Sequence, residues 1–202
     1  WILSFGISRV VAQKPVVKVD FENDAGINTG PGISGKAFDL GPNSSFRYAL
    51  AVPNPLRDTG QDLTVMLWVK SPEKSRQQYD ILSSLILNDD TYSGWKISVQ
   101  PDGAWMFHAR MEDVNYEYRT TVPRQSIRDG DWHLLAVTYE SLKNELSFYF
   151  DGKLMAIYNA PGIDGFYTGE IIVVGNSLDS EFSRVTGEMT ESRFVLTEWD
   201  SF

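Results

Sequence analysis

Residues 145–158 read Glu-Leu-Ser-Phe-Tyr-Phe-Asp-Gly-Lys-Leu-Met-Ala-Ile-Tyr, two alternating runs around an Asp-Gly pair. In an extended chain successive side chains point to opposite faces, so Leu146, Phe148 and Phe150 share one side. Asp151-Gly152 tolerates the positive φ that a two-residue hairpin turn requires. The stretch therefore predicts an antiparallel hairpin with one apolar face.

The same kind of run recurs along the whole chain, separated by Gly, Pro, Asn and Asp, and helical periodicity is almost absent. Gln100-Pro101-Asp102-Gly103 supplies a second hairpin turn, one residue longer. With no βαβ alternation, the pattern favours an all-β fold of two antiparallel sheets packed face to face. The aromatic rings assigned to the core between the sheets are those of Trp68, Trp95, Trp105, Phe107, Trp132, Phe148 and Phe150. The predicted strands are Val16–Phe21, Lys36–Leu40, Phe46–Val52, Leu63–Lys70, Asp80–Ile86, Trp95–Gln100, Ala104–Met111, Tyr116–Val122, Trp132–Glu140, Glu145–Phe150, Lys153–Tyr158, Glu170–Val174 and Glu188–Glu198.

The composition excludes several classes of protein. The 202 residues include no Cys and two His, 13% are aromatic, and the formal net charge is −9. Without Cys there are no disulfides, thiolate zinc sites or cysteine nucleophiles. An acidic surface repels phosphate backbones, so nucleic acid is not a predicted partner. No apolar run approaches the roughly 20 residues that span a bilayer, so no membrane span is predicted.

The N-terminal residues 1–15 are predicted to be a signal-peptide remnant or a plain N-terminal extension. Trp1 to Ala12 is mostly apolar and ends in small residues suited to cleavage before Gln13, although Arg9 interrupts the run. A signal would make the protein exported, and the missing Cys would then favour a bacterial envelope. Residues 16–202 are predicted to form one domain.

Several short sequence motifs, spread over residues 16–199, together resemble those of a known family. They are Val19-Asp20-Phe21-Glu22-Asn23-Asp24, Gly35-Lys36-Ala37-Phe38, Leu63 to Lys70, Gly94-Trp95-Lys96-Ile97, Asp131 to Tyr139, Phe148 to Lys153, Val174-Gly175-Asn176 and Phe182 to Gly187. In this order and spacing the chain resembles the laminin G-like and concanavalin A-like jelly-roll domains, particularly the bacterial ones. The resemblance implies a two-sheet antiparallel jelly-roll β-sandwich. One departure is Met189-Thr190-Glu191, which stands where the family usually has an Ile-Asp-Glu-like string.

One polar strand face is the predicted ligand-binding surface. If residues 95–122 form a meander, alternation gathers polar side chains on one side while Trp95, Trp105 and Phe107 point to the other. Sugar recognition uses aromatic faces together with planar polar groups. The alternative is an ordinary solvated strand face. The predicted ligand-binding residues are Lys96, His108, Arg110, Glu117 and Arg119, with Tyr92 and Asp90 at the rim.

Calcium is a possible cofactor, because the resemblance implies a ligand Asp just before Gly94-Trp95. Asn88-Asp89-Asp90 stands there, and Asp179 with Glu181 could supply a second group of oxygens. Carboxylate and carbonyl oxygens are the ligands that Ca²⁺ prefers. Asp89, Asp90 and Asp179 are therefore candidate metal ligands. The alternative is that they are solvated acids that favour turn formation.

No catalytic residues are predicted. Glucan-cleaving enzymes of this fold use paired carboxylates in Glu-x-Asp-x-x-Glu, whereas Glu22-Asn23-Asp24 and Glu198-Trp199-Asp200 lack the final Glu. Gly30 to Lys36 mimics a nucleotide-binding glycine loop, but Ala37 replaces its Ser or Thr and no helix can follow. His108 and His133 are interpreted as structural rather than catalytic.

These observations favour a non-catalytic carbohydrate- or glycoconjugate-binding module of a larger exported bacterial protein, secreted or in the cell envelope. A structural or protein-interaction module, accessory to an adjacent hydrolase domain in the same parent chain, is the second hypothesis. An active glycoside hydrolase is the third and rests on fold analogy alone.

Overall fold

The computed structural model describes residues 29–33, 36–39, 48–51, 62–71, 78–88, 91–111, 114–120, 125–161, 171–174 and 195–197. Every regular element within these residues is a β-strand. The strands are β1 Thr29–Pro31, β2 Lys36–Asp39, β3 Tyr48–Ala51, β4 Leu63–Lys70, β5 Tyr79–Asn88, β6 Thr91–Val99, β7 Trp105–Met111, β8 Val114–Arg119, β9 Trp132–Glu140, β10 Glu145–Phe150, β11 Lys153–Asn159, β12 Ile171–Val174 and β13 Val195–Thr197. Across the described part of the chain, no helix is long and apolar enough to cross a membrane.

The strands form two antiparallel sheets that pack as a sandwich. One sheet has the order β1-β2-β13-β4-β9-β10-β11 and the other β3-β12-β5-β6-β7-β8. Late strands complete both sheets, because β13 lies between β2 and β4 and β12 lies between β3 and β5. The predicted all-β jelly-roll sandwich is confirmed, and so is the β6-β7-β8 meander.

The predicted and observed strand bounds agree best where apolar and polar residues alternate most clearly. β4, β9 and β10 begin and end where the sequence predicted. β1 was not predicted, because Gly30 and Pro31 disfavour a central strand; it lies at the sheet edge, where Pro is tolerated. The predicted strand Val16–Phe21 lies outside the described residues, as does most of Glu188–Glu198.

The two predicted hairpin turns are confirmed by their backbone angles. Asp151 and Gly152 have φ of 49° and 74°, the left-handed pair that a two-residue turn needs. Gly103, in the β6–β7 turn, has φ of 89°, and a Cβ there would lie 2.3 Å from Oγ of Ser126. Both positions therefore require residues that tolerate positive φ.

The core lies between the sheets and is rich in aromatic rings. Phe148 of β10 contacts Trp105 and Phe107 of the opposite sheet, at centroid distances of 5.5 and 6.3 Å. The predicted core rings Trp95, Trp105, Phe107, Phe148 and Phe150 are confirmed as buried.

Two rings predicted for the core, Trp68 and Trp132, are only half-buried on the outer face of the seven-stranded sheet. In β4 it is Leu63, Val65, Leu67 and Val69 that are buried, so Trp68 points away from the core. Trp132 lies opposite Lys70 in the register and shares that outer face. The prediction is wrong for these two because in β4 and β9 the alternate side chains, and not these rings, face the core.

Candidate functional site

The predicted ligand-binding residues lie on one face of the six-stranded sheet, as the alternation indicated. Lys96 of β6 lies opposite His108 of β7, which lies opposite Glu117 of β8. Arg110 and Arg119 lie in neighbouring rows on the same side. The alternation along the strands therefore predicted correctly that these residues share one face of the sheet.

Their burial differs from the prediction. Lys96 is only 3% exposed and His108 only 6%. The expectation that these two are displayed to solvent is wrong, because period-2 alternation identifies a polar face without saying whether that face is covered. They are not placed to meet a ligand at the surface.

Lys96 has a buried partner that the sequence did not reveal. Its Nζ lies 3.2 Å from Oδ2 of Asp80 on β5. A β-bulge between Asp80 and Leu82 allows Asp80 and Ser83 to face the same side despite their odd spacing. Two opposite charges withdrawn from water stabilise each other, so this pair is a structural element of the sheet.

His108 is held neutral by the same burial. Desolvation lowers the pKa of the His108 imidazole, the bond to Asn115 opposes this, and the charge of Lys96 lowers the pKa further. The side chain amide of Asn115 is the partner of Nε2, so we assign a tautomer in which Nε2–H donates to Oδ1. The imidazole therefore stays uncharged at neutral pH.

The other residues of this face are more exposed to solvent. Arg119 and Glu117 are exposed and Arg110 is half-buried. Arg119 forms an ion pair with Asp102 in the β6–β7 turn, and about half of each side chain is exposed. Since only Nη2 makes this contact, the guanidinium keeps further N–H donors for another partner.

Beside Arg119 a small cleft opens on one side of the sandwich, where β8 and β11 are the last strands of their sheets. The two edges are linked by Tyr116, whose hydroxyl donates to the carbonyl of Pro161 at 2.5 Å. The cleft measures about 50 Å³, and its lining includes Arg119, Thr120, Gln125, Phe148, Met155 and Tyr158. We call this feature the edge cleft.

Two residues give the edge cleft its chemistry. Tyr158 is 37% exposed, and its ring is fixed by packing on Tyr118 and Phe148 at 4.9 and 5.5 Å. Gln125 is only 6% exposed, and its Oε1 accepts no hydrogen bond within the described part of the chain. By contrast the Thr120 hydroxyl is satisfied, since it donates to the carbonyl of Trp105 and accepts from its N–H. An orphaned acceptor thus lies next to an exposed ring and a cation.

A second polar cluster surrounds His133 at the end of the seven-stranded sheet. Its Nδ1 lies 2.9 Å from Oδ2 of Asp151 and its Nε2 lies 3.0 Å from Oδ2 of Asp129. Each carboxylate is also held by a backbone N–H, of Leu134 and Asp131 respectively. Burial alone would lower the pKa of His133, but the bonds to the two carboxylates outweigh it and raise the pKa. These contacts are those of a structural ion-pair network.

The metal prediction falls outside what the structure describes. Asp89, Asp90 and Asp179 lie outside the described residues, and of Tyr92 only the backbone, opposite Leu87 in β5, is described. In the described ranges no group of three or more His, Asp or Glu is arranged to hold a metal ion. Calcium binding therefore stays a prediction.

Sequence reasoning missed Gln125 and Tyr158. Gln125 lies outside every predicted strand. Tyr158 ends the predicted strand Lys153–Tyr158, and no functional role was predicted for it. The available signal was the β11 run Leu154-Met155-Ala156-Ile157-Tyr158, whose apolar residues occupy both faces of a strand instead of one.

Comparison with known proteins finds a matching family profile and a similar curated protein. The profile of the concanavalin A-like lectin/glucanases superfamily, laminin G type, matches residues 44–197. The chain is 23% identical over 189 residues to non-toxic nonhemagglutinin type E of Clostridium botulinum, covering 91% of the chain and 15% of that protein.

Several solved structures with the same fold are named as binding domains. They include that of Paraclostridial Mosquitocidal Protein 1 (TM-score 0.67, 16% identity, 86% of this chain and 41% of that one) and that of botulinum neurotoxin serotype G (0.65, 16%, 90% and 42%). A third is the binding domain of botulinum neurotoxin DC in complex with rat synaptotagmin II (0.63, 12%, 85% and 40%).

The chain thus spans about two fifths of these binding domains and a smaller part of the curated relative. At these levels of identity the likeness to the solved structures shows the shared fold. Since the superfamily profile covers most of the sequence, the chain belongs to the concanavalin A-like lectin/glucanases superfamily as a laminin G-type domain.

Proposed function

We propose that the chain is a non-catalytic carbohydrate-binding module of a larger exported protein. The observation that carries this proposal is the edge cleft, where the exposed Tyr158 ring and the Arg119 guanidinium lie together. Aromatic faces pack on the C–H patches of sugars, and guanidinium groups donate to hydroxyl oxygens. The named binding domains that share the fold support a binding role.

The proposed contact surface is narrower than the one predicted from sequence. It keeps Arg119 and Glu117, gains Tyr158, and loses Lys96 and His108 because those two are buried. The edge cleft is far smaller than the roughly 300–1,000 Å³ of an enclosing ligand pocket. Most of a glycan would therefore lie on the surface, with one substituent entering the cleft.

The test is a glycan screen followed by affinity measurements on variants. We expect Arg119→Ala and Tyr158→Leu each to weaken binding about tenfold, as the loss of a charge-assisted hydrogen bond or of ring stacking would. Arg110→Ala, at a half-buried position further from the cleft, should have a smaller effect. Leu142→Ser, at a fully exposed position in the β9–β10 turn, is the control and should bind as the unmodified chain does. A blank screen, or unchanged affinity in both variants, contradicts the proposal.

The second candidate is a protein-interaction module that docks on a neighbouring domain of the same polypeptide. β11 is the last strand of its sheet, and its Leu154 and Ile157 are 51% and 54% exposed. An open strand edge with exposed apolar side chains can pair with an extended segment. The neighbour is the occupant that fits, since the chain spans only 15% of its curated relative.

This candidate is tested in the parent protein by small-angle X-ray scattering. Leu154→Lys with Ile157→Lys should separate the two domains and raise the radius of gyration. Leu142→Lys, an equally apolar exposed position outside β11, should leave the radius unchanged. A radius unaffected by the β11 pair removes this candidate.

Calcium binding by Asp89, Asp90 and Asp179 is retained as a proposal on the chemistry of hard oxygen ligands. Titration calorimetry of the chelator-treated protein is the measurement. Heat that disappears in Asp90→Asn supports the site, and no heat at millimolar calcium removes it.

A further inference from the structure

We propose that the edge cleft is a subsite for an acetamido group, and that the glycan this chain recognises carries an N-acetylated amino sugar. The inference rests on the proposed function, because it names the sugar substituent that enters the site. Four features of the cleft lead to it: its volume, its apolar floor, its orphaned acceptor and the groups at its mouth.

The volume sets the size of the entering group. A water-sized space takes about 10–15 Å³ in such a cavity, so about 50 Å³ holds roughly three to five non-hydrogen atoms. An acetamido group has about that many, whereas a pyranose ring is too large. A single hydroxyl would leave most of the cleft unfilled.

The floor suits the methyl end of that group. It is formed by the Phe148 ring, which is buried in the core, and by Ala156 of β11. Neither side chain has a polar atom, so a methyl group placed on them removes apolar surface from water. A charged amine or a carboxylate would instead lose its hydration there without a partner.

The orphaned acceptor suits the amide N–H. Gln125 lines the cleft, and its Oε1 is buried and accepts no hydrogen bond from the residues that the structure describes. A buried acceptor without a donor is destabilising, and a ligand N–H that reaches it relieves that cost. The free amine of an unacetylated amino sugar carries a charge that the apolar floor opposes.

The mouth suits the rest of the sugar. Arg119 can donate to the acetyl carbonyl or to a ring hydroxyl while it keeps its ion pair with Asp102. Tyr158 lines the cleft and is 37% exposed, so part of its ring is available to the C–H surface of the pyranose. An acetylated lysine would fill the cleft equally well but has no ring to cover Tyr158, so a sugar is the better fit.

The experiment measures binding of matched sugars to the chain by ligand-observed NMR. The probes are N-acetylglucosamine, N-acetylgalactosamine, glucose, galactose, glucosamine and N-acetyl-lysine methyl ester. We expect the two N-acetylated sugars to bind about tenfold more tightly than the other probes, as one added buried hydrogen bond predicts. The acetyl methyl should show the strongest saturation transfer.

Gln125→Met is the decisive variant. It replaces the orphaned acceptor with an apolar side chain of similar size, so the melting temperature should stay the same or rise. The preference for N-acetylated sugars should fall to twofold or less. Ala156→Leu, which fills the cleft from β11, is a second route to the same loss, and Leu142→Ser is again the control.

Each result separates this inference from the proposed function. Glycans that bind without N-acetyl groups but depend on Arg119 would support the module and overturn the acetamido subsite. N-acetyl-lysine methyl ester binding as tightly as the sugars would overturn the choice of a sugar. A preference for N-acetylated sugars unchanged by both Gln125→Met and Ala156→Leu would place their site elsewhere. No binding of any glycan would overturn both proposals.

Discussion

The two histidines of this chain lie in opposite electrostatic surroundings although both are largely buried. His108, on the outer face of the six-stranded sheet, meets a neutral amide and the charge of Lys96, and burial lowers its pKa. His133 lies between the carboxylates of Asp129 and Asp151, which outweigh burial and raise its pKa. Because the two histidines are buried to a similar extent, their partners account for the opposite directions of their pKa shifts.

The largest expected change in stability is at the buried Lys96–Asp80 ion pair, on the same face as His108. Asp80→Asn removes the counter-charge of Lys96 and leaves an ammonium group buried without it. The free energy of unfolding should fall by about 3–5 kcal/mol, measured by urea denaturation.

The control is Asp80→Asn combined with Lys96→Met, which removes both charges. It should be more stable than Asp80→Asn alone, since no buried charge is left behind. A single variant that is as stable as the unmodified chain would show that the pair contributes nothing.

A smaller effect is expected at His133, and it depends on pH. His133→Gln loses two charge-assisted hydrogen bonds, so the free energy of unfolding should fall by about 1.5–3 kcal/mol near pH 6. Because the folded-state pKa is raised above 6.5, this contribution is complete below pH 6.5 and is lost as pH rises through the folded pKa. Denaturation between pH 5 and 9 should show that the difference in the free energy of unfolding between the unmodified chain and His133→Gln becomes smaller toward alkaline pH.

The acid limit of this contribution comes from Asp129. Burial would raise the pKa of its carboxyl, but the backbone N–H of Asp131 and the bond from His133 lower it below 3.8. The stabilisation is therefore lost again as pH falls through that lowered pKa. Asp131→Asn, which leaves the backbone N–H in place, is the control and should keep the unmodified pH profile. If the stability difference between the unmodified chain and His133→Gln grew toward alkaline pH, the raised pKa of His133 would be contradicted.

The smallest effect is expected at His108. His108→Gln removes one neutral hydrogen bond, to Asn115, and should cost about 1 kcal/mol at pH 8. Since the folded-state pKa is lowered, the unmodified chain loses stability as pH falls from 6.5 toward that lowered pKa, whereas Gln does not titrate. The difference between the two proteins should therefore shrink toward pH 5.

Burial sets the sign of this effect; of the charged groups that face His108, Lys96 lowers its pKa further, whereas Glu117 and Asp80 raise it. If the difference at His108 grew in acid, as it does at His133, the two histidines would share one kind of surroundings and the comparison would fail. Proton NMR titration of both imidazoles gives an independent measurement.

Local chemistry explains what was predictable in the fold. The bounds of β9 and β10 follow from their alternation and from the turn between them, and Asp151-Gly152 fixes the next hairpin by its positive φ. The side of each strand that holds Phe148 or Trp105 was equally readable. These properties depend on residues a few positions apart, so a sequence contains them directly.

The candidate site was only partly predictable, because its residues meet through the closure of two sheets. Arg119 ends β8, Gln125 follows it in a loop, and Tyr158 belongs to β11 of the other sheet. Nothing in their spacing indicates that the edges of β8 and β11 lie on the same side of the sandwich. The burial of Lys96 was hidden for a similar reason, since its partner Asp80 reaches that face through a bulge.

The sequence by itself determined the strands, the two tight turns and the polar and apolar faces, because alternation and φ preference act between neighbours along the chain. Only the tertiary structure decided which polar face is buried, in which direction the pKa of each histidine shifts, and where the Tyr158 ring, the Arg119 cation and Gln125 meet. Those outcomes depend on distance and solvent exclusion between segments far apart in the chain, which the order of residues does not specify.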